Sequence, residues 1–177
     1  MLSTTTQKFS AKKIVLVGFM GAGKTTVGRL LANHLSTLFI DLDEQIEMNQ
    51  GRSICEIFKR LGEESFRRME TEALKKVTRQ NVVLSTGGGF VEDEKNRERL
   101  KSGEFLVVYL SPKFENLYER LQGDDKRPLI QQKTKKEIEE LFTKRKAFYE
   151  FVADITLSLE AESPEEILHL LLKQLEG

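Results

Sequence analysis

The sequence predicts an α/β fold with a parallel sheet, on three observations. Five β-rich runs alternate with amphipathic helical stretches, and strands alternating with helices are joined by right-handed crossovers into parallel sheets. The first run, Ile14 to Val17, passes directly into a glycine loop and a helix start, the order of a phosphate-binding unit. The 177 residues suit one core, and no internal repeat, long linker or low-complexity block divides them. A single domain over residues 1–177 is the expectation, with a flexible tail at 1–11.

The loop reads GFMGAGKTT, Gly18 to Thr26, and its first eight residues fit G-x-x-x-x-G-K-[ST]. Gly18, Gly21 and Gly23 let backbone N–H groups converge on one oxyanion. Lys24 is expected to reach the β- and γ-phosphates of a nucleotide, and the Thr25 hydroxyl to take a place on Mg²⁺. Ala22 and Thr26 complete the cradle, backed by the dipole of a helix beginning near Lys24. Leu30, Leu31 and Leu35 carry that helix to about Ser36, with His34 an ordinary surface or packing residue.

Leu38 to Leu42 reads as a second strand, ending in Asp41 and Asp43. At that spacing in a strand both carboxylates share one face, at the edge where open α/β sheets bind ligands. One acid could hold a metal's water shell and the other accept a hydrogen bond or proton from a substrate hydroxyl. Asp43 equally suits a helix N-cap ahead of Glu44 to Asn49. Ser53 to Leu61 predicts a helix with a capping box between Ser53 and Glu56; Gly62 breaks it, and a longer helix runs from Glu63 to about Arg79. Phe58 and Phe66 could form apolar walls. Arg67 has Glu70 three residues on, within reach of its guanidinium, a spacing that ordinary surface ion pairs share.

Asn81 to Thr86 is the third strand, followed by Gly87, Gly88 and Gly89. Three glycines there cost conformational entropy as packing but suit close approach of a ligand to the backbone; a plain flexible loop is the alternative. Glu92 to Ser102 reads as a charged surface helix and Glu104 to Leu110 as the fourth strand. The next helix puts Phe114, Leu117, Tyr118 and Leu121 on one face and leaves Arg120 off it, free to meet solvent or a ligand. Gln122 to Lys136 lacks apolar periodicity and carries Arg127. A loop of that length is more often a lid or binding loop than a connector, and a lid arginine can cover a transferred phosphate; a solvated charged loop is the alternative. In the helix from Lys135 to Val152, Arg145 falls on the apolar stripe, where an arginine is paired with an acid or an anionic ligand. Ile155 to Leu159 is the last strand, and a helix from Pro164 ends the pattern with His169 off its apolar stripe.

The 28 acidic and 28 basic residues balance, so no global field draws the protein to nucleic acid or to a membrane. An anionic ligand must be held by local arginines. Cys55 is the single cysteine, which excludes an internal disulfide and suits a reducing compartment. No run approaches the ~18 apolar residues of a membrane span. Met1 to Ser10 lack the length and arginines of a transit peptide. The expectation is a soluble, cytoplasmic monomer.

A triphosphate cradle, a hydroxyl-binding acid and arginines whose forks match a carboxylate together point to ATP phosphorylating a small hydroxylated acid. The chain resembles the shikimate kinases. The likeness is carried by GFMGAGKTT at 18–26, DLD at 41–43, SICEIF and GEESFRRME between 53 and 70, GGG at 87–89, RPL at 127–129, and KRKAFY at 144–149 with AD at 153–154. It runs from Lys12 to the last helix. It implies a three-layer α/β/α, nucleoside-monophosphate-kinase-like fold with sheet order 2-3-1-4-5, a mobile lid at about 122–136, and transfer of the ATP γ-phosphate to the 3-hydroxyl of shikimate in aromatic amino-acid biosynthesis.

By matching position, the resemblance puts Asp43 on the shikimate hydroxyls, Arg67 and Arg145 on its carboxylate, and the Gly88 backbone at the ring hydroxyl side. It makes Thr25 a ligand of Mg²⁺ and Asp41 a ligand of the metal's waters. Arg127 becomes the lid arginine on the phosphates, Arg120 lies against the adenine, and Ala161 to Pro164, with Glu162, looks like the adenine-edge loop. Departures from the pattern are a threonine at 25 where serine is frequent, Ile130 where leucine is common, and a glutamine-rich end to the lid. A different small-molecule kinase, such as a gluconate kinase, is the nearest rival. The guanine-reading N-K-x-D of a GTPase is absent from the sequence, and the Lys24, Asp43 and substrate arginines that a non-catalytic module would have lost are present.

Overall fold

The computed structural model describes residues 13–78, 80–122 and 133–176. The expected tail at 1–11, Arg127 and most of the expected lid lie outside the described residues. In chain order the elements are β1 (Lys13–Val17), α1 (Lys24–His34), β2 (Leu38–Asp41), α2 (Leu42–Gln50), α3 (Ile54–Lys76), β3 (Val82–Ser85), a 3-10 turn (Phe90–Glu92), α4 (Glu94–Leu100), β4 (Phe105–Pro112), α5 (Phe114–Gln122), α6 (Lys135–Val152), β5 (Ile155–Leu159) and α7 (Pro164–Glu176). Every strand pairing is parallel, in the order β2-β3-β1-β4-β5. Helices cover both faces, as the near-continuous apolar runs of β1, β3 and β4 require.

β1 is the middle of the sheet: Val15 pairs with Leu84 on one side and Val107 on the other, and all three are fully buried or within 1% of it. From β1 the chain crosses outward to β2 and β3, then back over to β4 and β5. The strand order therefore reverses beside β1, and the carboxyl ends of β1 and β3 open a crevice at that point. Even Lys13 is buried in this strand; its Nζ donates to the Val77 carbonyl at 2.8 Å and faces Glu104 at 3.6 Å.

Three of the boundaries that differ from the sequence reading do so for a plain local reason. β2 stops at Asp41, because the Asp41 carboxylate caps α2: its Oδ1 accepts from the N–H groups of Asp43 at 3.0 Å and Glu44 at 3.3 Å. Asp43 is therefore not the cap, and it shares no strand face with Asp41; it sits in the first turn of α2. The helices expected at 53–61 and 63–79 run on as α3 with a bend at Gly62, whose φ of 78° and ψ of 168° belong to glycine alone. The charged helix expected at 92–102 contracts to α4, because Asp93 caps it by accepting from Lys95 N at 2.8 Å and Asn96 N at 3.4 Å. Glu92 is left in the 3-10 turn that follows the glycines.

Candidate active site

The crevice begins with the loop after β1. Gly18, Gly21 and Gly23 have φ of 149°, 80° and 90°, and a Cβ on Gly18 would stand 2.7 Å from the Leu110 carbonyl oxygen. The loop thus turns where only glycine fits, pressed against β4. Gly23 occupies the N-cap of α1 with no side-chain cap, and the first turn holds no acid. The first-turn N–H groups and positive dipole end of such a helix suit an anion. Lys24, 8% exposed, curls over the loop, its Nζ donating to the carbonyls of Gly18 at 2.8 Å and Phe19 at 3.0 Å. Ala22 is fully buried beneath. Thr25 Oγ1 donates to Asp41 Oδ2 at 2.7 Å, so Asp41 joins the start of α1 to the start of α2.

A cavity of about 270 Å³ is lined by Met20, Gly21, Gly23 to Thr26, Asp41, Asp43 and Ser85 to Gly88. The phosphate loop and both acids therefore share one space. The glycine run explains how further side chains reach its edge. A Cβ on Gly87 would lie 2.8 Å from both Asp43 Oδ1 and Glu70 Oε1; one on Gly88 would lie 3.1 Å from Met20 N and 3.5 Å from Arg145 Nη1; one on Gly89 would lie 2.7 Å from Arg67 Cζ. At Gly87 and Gly89 the missing side chain is room taken by charged groups, and at Gly88 it lets the Met20 backbone come close with Arg145 beside it.

Arg67 is held on α3 by two acids: Nη1 donates to Glu70 Oε2 at 2.6 Å and Nη2 to Glu63 Oε1 at 3.1 Å. The Phe58 and Phe66 rings meet at 4.8 Å across the Gly62 bend beside it. Arg145, 5% exposed, donates through Nε to Glu92 Oε1 at 2.6 Å. One turn on, Tyr149 Oη donates to the Gly88 carbonyl at 2.5 Å. Burial raises the Tyr149 phenol further above its ordinary value, which keeps it a donor.

The acids respond to this packing. Burial, reinforced by the charge of Asp41, pushes Asp43 up to about 6. Burial pushes Glu70 up to about 7 against the pull of Arg67. Asp43 Oδ1 and Glu70 Oε1 are both buried without a hydrogen-bond partner, and such atoms call for a donor that arrives with a ligand or water. Burial also works against ionised Glu92, but Arg145 and Lys144 outweigh it and hold its carboxyl below the ordinary range.

The structure thus brings together Gly21, Gly23, Lys24, Thr25, Thr26, Asp41, Asp43 and Gly88 around one cavity, with Arg67 and Arg145 behind the glycines. Arg120 is exposed in the last turn of α5, away from the residues that line the cavity. Glu162 lies ahead of α7, its Oε2 accepting from Glu160 N at 2.7 Å. Arg127 is outside the described residues. Sequence reasoning missed Glu92, which sits in a charged run that reads as solvent-facing, and the complete burial of Glu70, whose spacing to Arg67 was its one signal.

The Shikimate kinase family profile matches residues 20–176. A shikimate kinase of Persephonella marina is 44% identical over 162 residues, covering 91% of this chain and 97% of that protein. One of Enterococcus faecalis is 46% identical over 166 residues, covering 93% and 98%. Among solved structures, shikimate kinase from Acinetobacter baumannii in complex with shikimate superposes with a TM-score of 0.90 at 37% identity, covering 97% of each chain. A gluconokinase from Sinorhizobium meliloti, 19% identical with a TM-score of 0.56 over 95% of this chain and 93% of its own, shares the fold alone. With the profile covering residues 20–176, most of the crevice among them, and relatives above 40% identical over nearly their whole length, the chain belongs to the shikimate kinase family.

Proposed function

We propose that the protein transfers the γ-phosphate of ATP to the 3-hydroxyl of shikimate, giving shikimate 3-phosphate, ADP and a proton. The observation that carries this reading is the convergence of Asp43, Arg67 and Arg145 on three successive glycines beside an uncapped phosphate loop. One crevice then holds a reader of hydroxyls, two readers of a carboxylate and a cradle for phosphate.

On the donor side, the N–H groups of Gly21 to Thr26 take the phosphate oxygens, and the Lys24 ammonium, now on two loop carbonyls, turns to the β- and γ-phosphates. Thr25 Oγ1 and Asp41 Oδ2, 2.7 Å apart, are the hard oxygen donors that fit Mg²⁺, which keeps several waters and binds through one or two protein groups plus phosphates. Among the described residues no group of three or more His, Cys, Asp or Glu could hold a metal by itself, and Mg²⁺ carried by a nucleotide needs none. Thr25 would bind the ion directly and Asp41 its waters. When bound, the ion neutralises charge on the phosphates. Arg120 against the adenine, with Glu162 in the loop at its edge, and Arg127 over the phosphates rest on the family pattern.

On the acceptor side, Arg67 and Arg145 take the carboxylate, Gly88 lets the ring approach the backbone, and Asp43 accepts a hydrogen bond from the hydroxyl on Oδ1. Transfer of phosphate depends mainly on position and charge; Asp43 orients and polarises the hydroxyl, and the proton leaves as the bond to phosphorus forms. ATP and shikimate are the partners of a single-domain monomer working in the cytoplasm. No helix among the described residues is long and apolar enough to cross a membrane. The test is a coupled assay of ADP release with ATP and Mg²⁺, with and without shikimate, and with gluconate in its place. Release that depends on shikimate is expected; release with gluconate alone, or none with shikimate, defeats the reading.

A further inference from the structure

Arg67 and Arg145 are held in opposite senses. Arg67 has both Nη atoms on carboxylates, and its Nε is buried without a partner. Arg145 has its Nε on Glu92, and among the described residues its Nη atoms make no hydrogen bond; Nη1 is the atom nearest the space over Gly88 after the Met20 backbone. A guanidinium can meet a carboxylate side-on, through Nε and one Nη, or end-on, through both Nη atoms. For Arg145 the first mode is already taken.

We infer that Glu92 is a positioning residue for substrate recognition: by taking Nε of Arg145 it leaves the Nη1 and Nη2 end of the fork turned to the crevice for the shikimate carboxylate. The inference rests on the proposed role of Arg145. Three further observations carry it. Arg145 is 5% exposed, and a guanidinium so buried needs a counter-charge before any ligand arrives. Glu92 is itself secured twice: Lys144 Nζ meets its other oxygen at 3.1 Å, and Arg97 Nη1 donates to the backbone carbonyls of Val91 at 2.7 Å and Glu92 at 2.9 Å. The Arg97 guanidinium also lies 4.3 Å from the Phe148 ring centre on α6. With Tyr149 on the Gly88 carbonyl, these contacts fasten α6 to the turn that carries the glycines. The carboxylate that aims Arg145 and the glycine that Arg145 Nη1 faces are thus parts of one turn.

The test compares the wild-type enzyme with Glu92→Ala and with Glu92→Gln, which keeps the shape and an acceptor oxygen if the alanine variant fails to fold. Shikimate is one probe; its methyl ester, which has no carboxylate charge, is the other, read as Ki against shikimate. Loss of the aim raises the shikimate KM about tenfold or more in Glu92→Ala, with less effect in Glu92→Gln. The kcat and the ATP KM stay within about threefold of wild type, and the ester Ki within about twofold. A shikimate KM that is unchanged or lower overturns the inference, since Glu92 would then be idle or a competitor for Arg145. So does an ester Ki that rises in step with the shikimate KM, or a parallel fall in kcat and ATP affinity, which marks general loss of structure. Those outcomes leave the proposed reaction standing. A wild-type enzyme without shikimate-dependent ADP release overturns that reaction, and this inference with it.

Discussion

Asp43 is kept in a form that the folded protein would rather protonate. Its carboxyl is pushed up to about 6 from 3.8, first by burial and then by Asp41. The folded state therefore binds this proton more tightly than the unfolded chain, and folding stability falls as pH rises through the window between those two values, with the full penalty above it. Asp43→Asn removes the penalty. The variant should melt higher than wild type near about pH 8, with the gain shrinking as the pH is lowered toward about 4. The same substitution should lower kcat about a hundredfold or more if Asp43 orients and polarises the hydroxyl. A variant that melts lower at neutral pH, or keeps near-normal turnover, contradicts the assignment. In the wild type, the proposed role requires ionised Asp43, so kcat/KM should fall on the acid side. Because Glu70, near 7, converges with Asp43 on Gly87, that limb belongs to the pair of carboxyls and not to one of them. Such facts were only half legible in the sequence. The types and spacings of Asp43, Arg67, Glu70 and Arg145 were visible; the partner of Arg145 was not, because Glu92 lies 53 positions away in a run whose charge suggests solvent.

At the scale of the element, α3 shows how a bend aims a side chain. Gly62 takes φ 78° and ψ 168° in the middle of the helix, so the half that carries Phe66, Arg67 and Glu70 leaves in a new direction, with the Phe58 and Phe66 rings in tilted contact across the bend. An alanine there has open space around its Cβ, so the cost is in the backbone alone, about 1–3 kcal/mol. Gly62→Ala should lower the melting temperature, and by straightening the helix raise the shikimate KM severalfold while the ATP KM holds. Denaturation curves and paired KM measurements check this; a lower melting temperature with both constants unchanged would mean that the bend does not aim Arg67. The break itself was legible, since glycine amid an amphipathic pattern ends or bends a helix. So were the whole of α6 and β5, whose ends fall where the periodicity put them. The end of β2 was not: Leu42 is as apolar as a strand residue, and only the two hydrogen bonds to the Asp41 carboxylate turn it into a helix start.

For the molecule as a whole, alternation of strands and helices gives a parallel sheet but not the order of its strands; that order followed from the family likeness. Its consequence is a division of labour. The phosphate loop leaves the central β1, while the groups proposed to hold the acceptor come from α2, α3, α6 and the turn after β3, so on that proposal the two substrates meet different parts of one crevice. Binding to the folded state alone stabilises it by mass action, about 2.7 kcal/mol at a hundredfold excess over Kd. Wild-type protein should therefore gain thermal stability with ATP and Mg²⁺, and separately with shikimate. Lys24→Ala should lose most of the nucleotide-dependent gain, since the ammonium on the Gly18 and Phe19 carbonyls is the cation assigned to the phosphates. Its response to shikimate should persist, because Arg67 and Arg145 keep their partners on Glu70 and Glu92. Thermal melts with each ligand read both arms. If Lys24→Ala abolished the shikimate shift as well while its own melting temperature stayed near wild type, the two halves would depend on each other, and the acceptor site would need the phosphate loop to form.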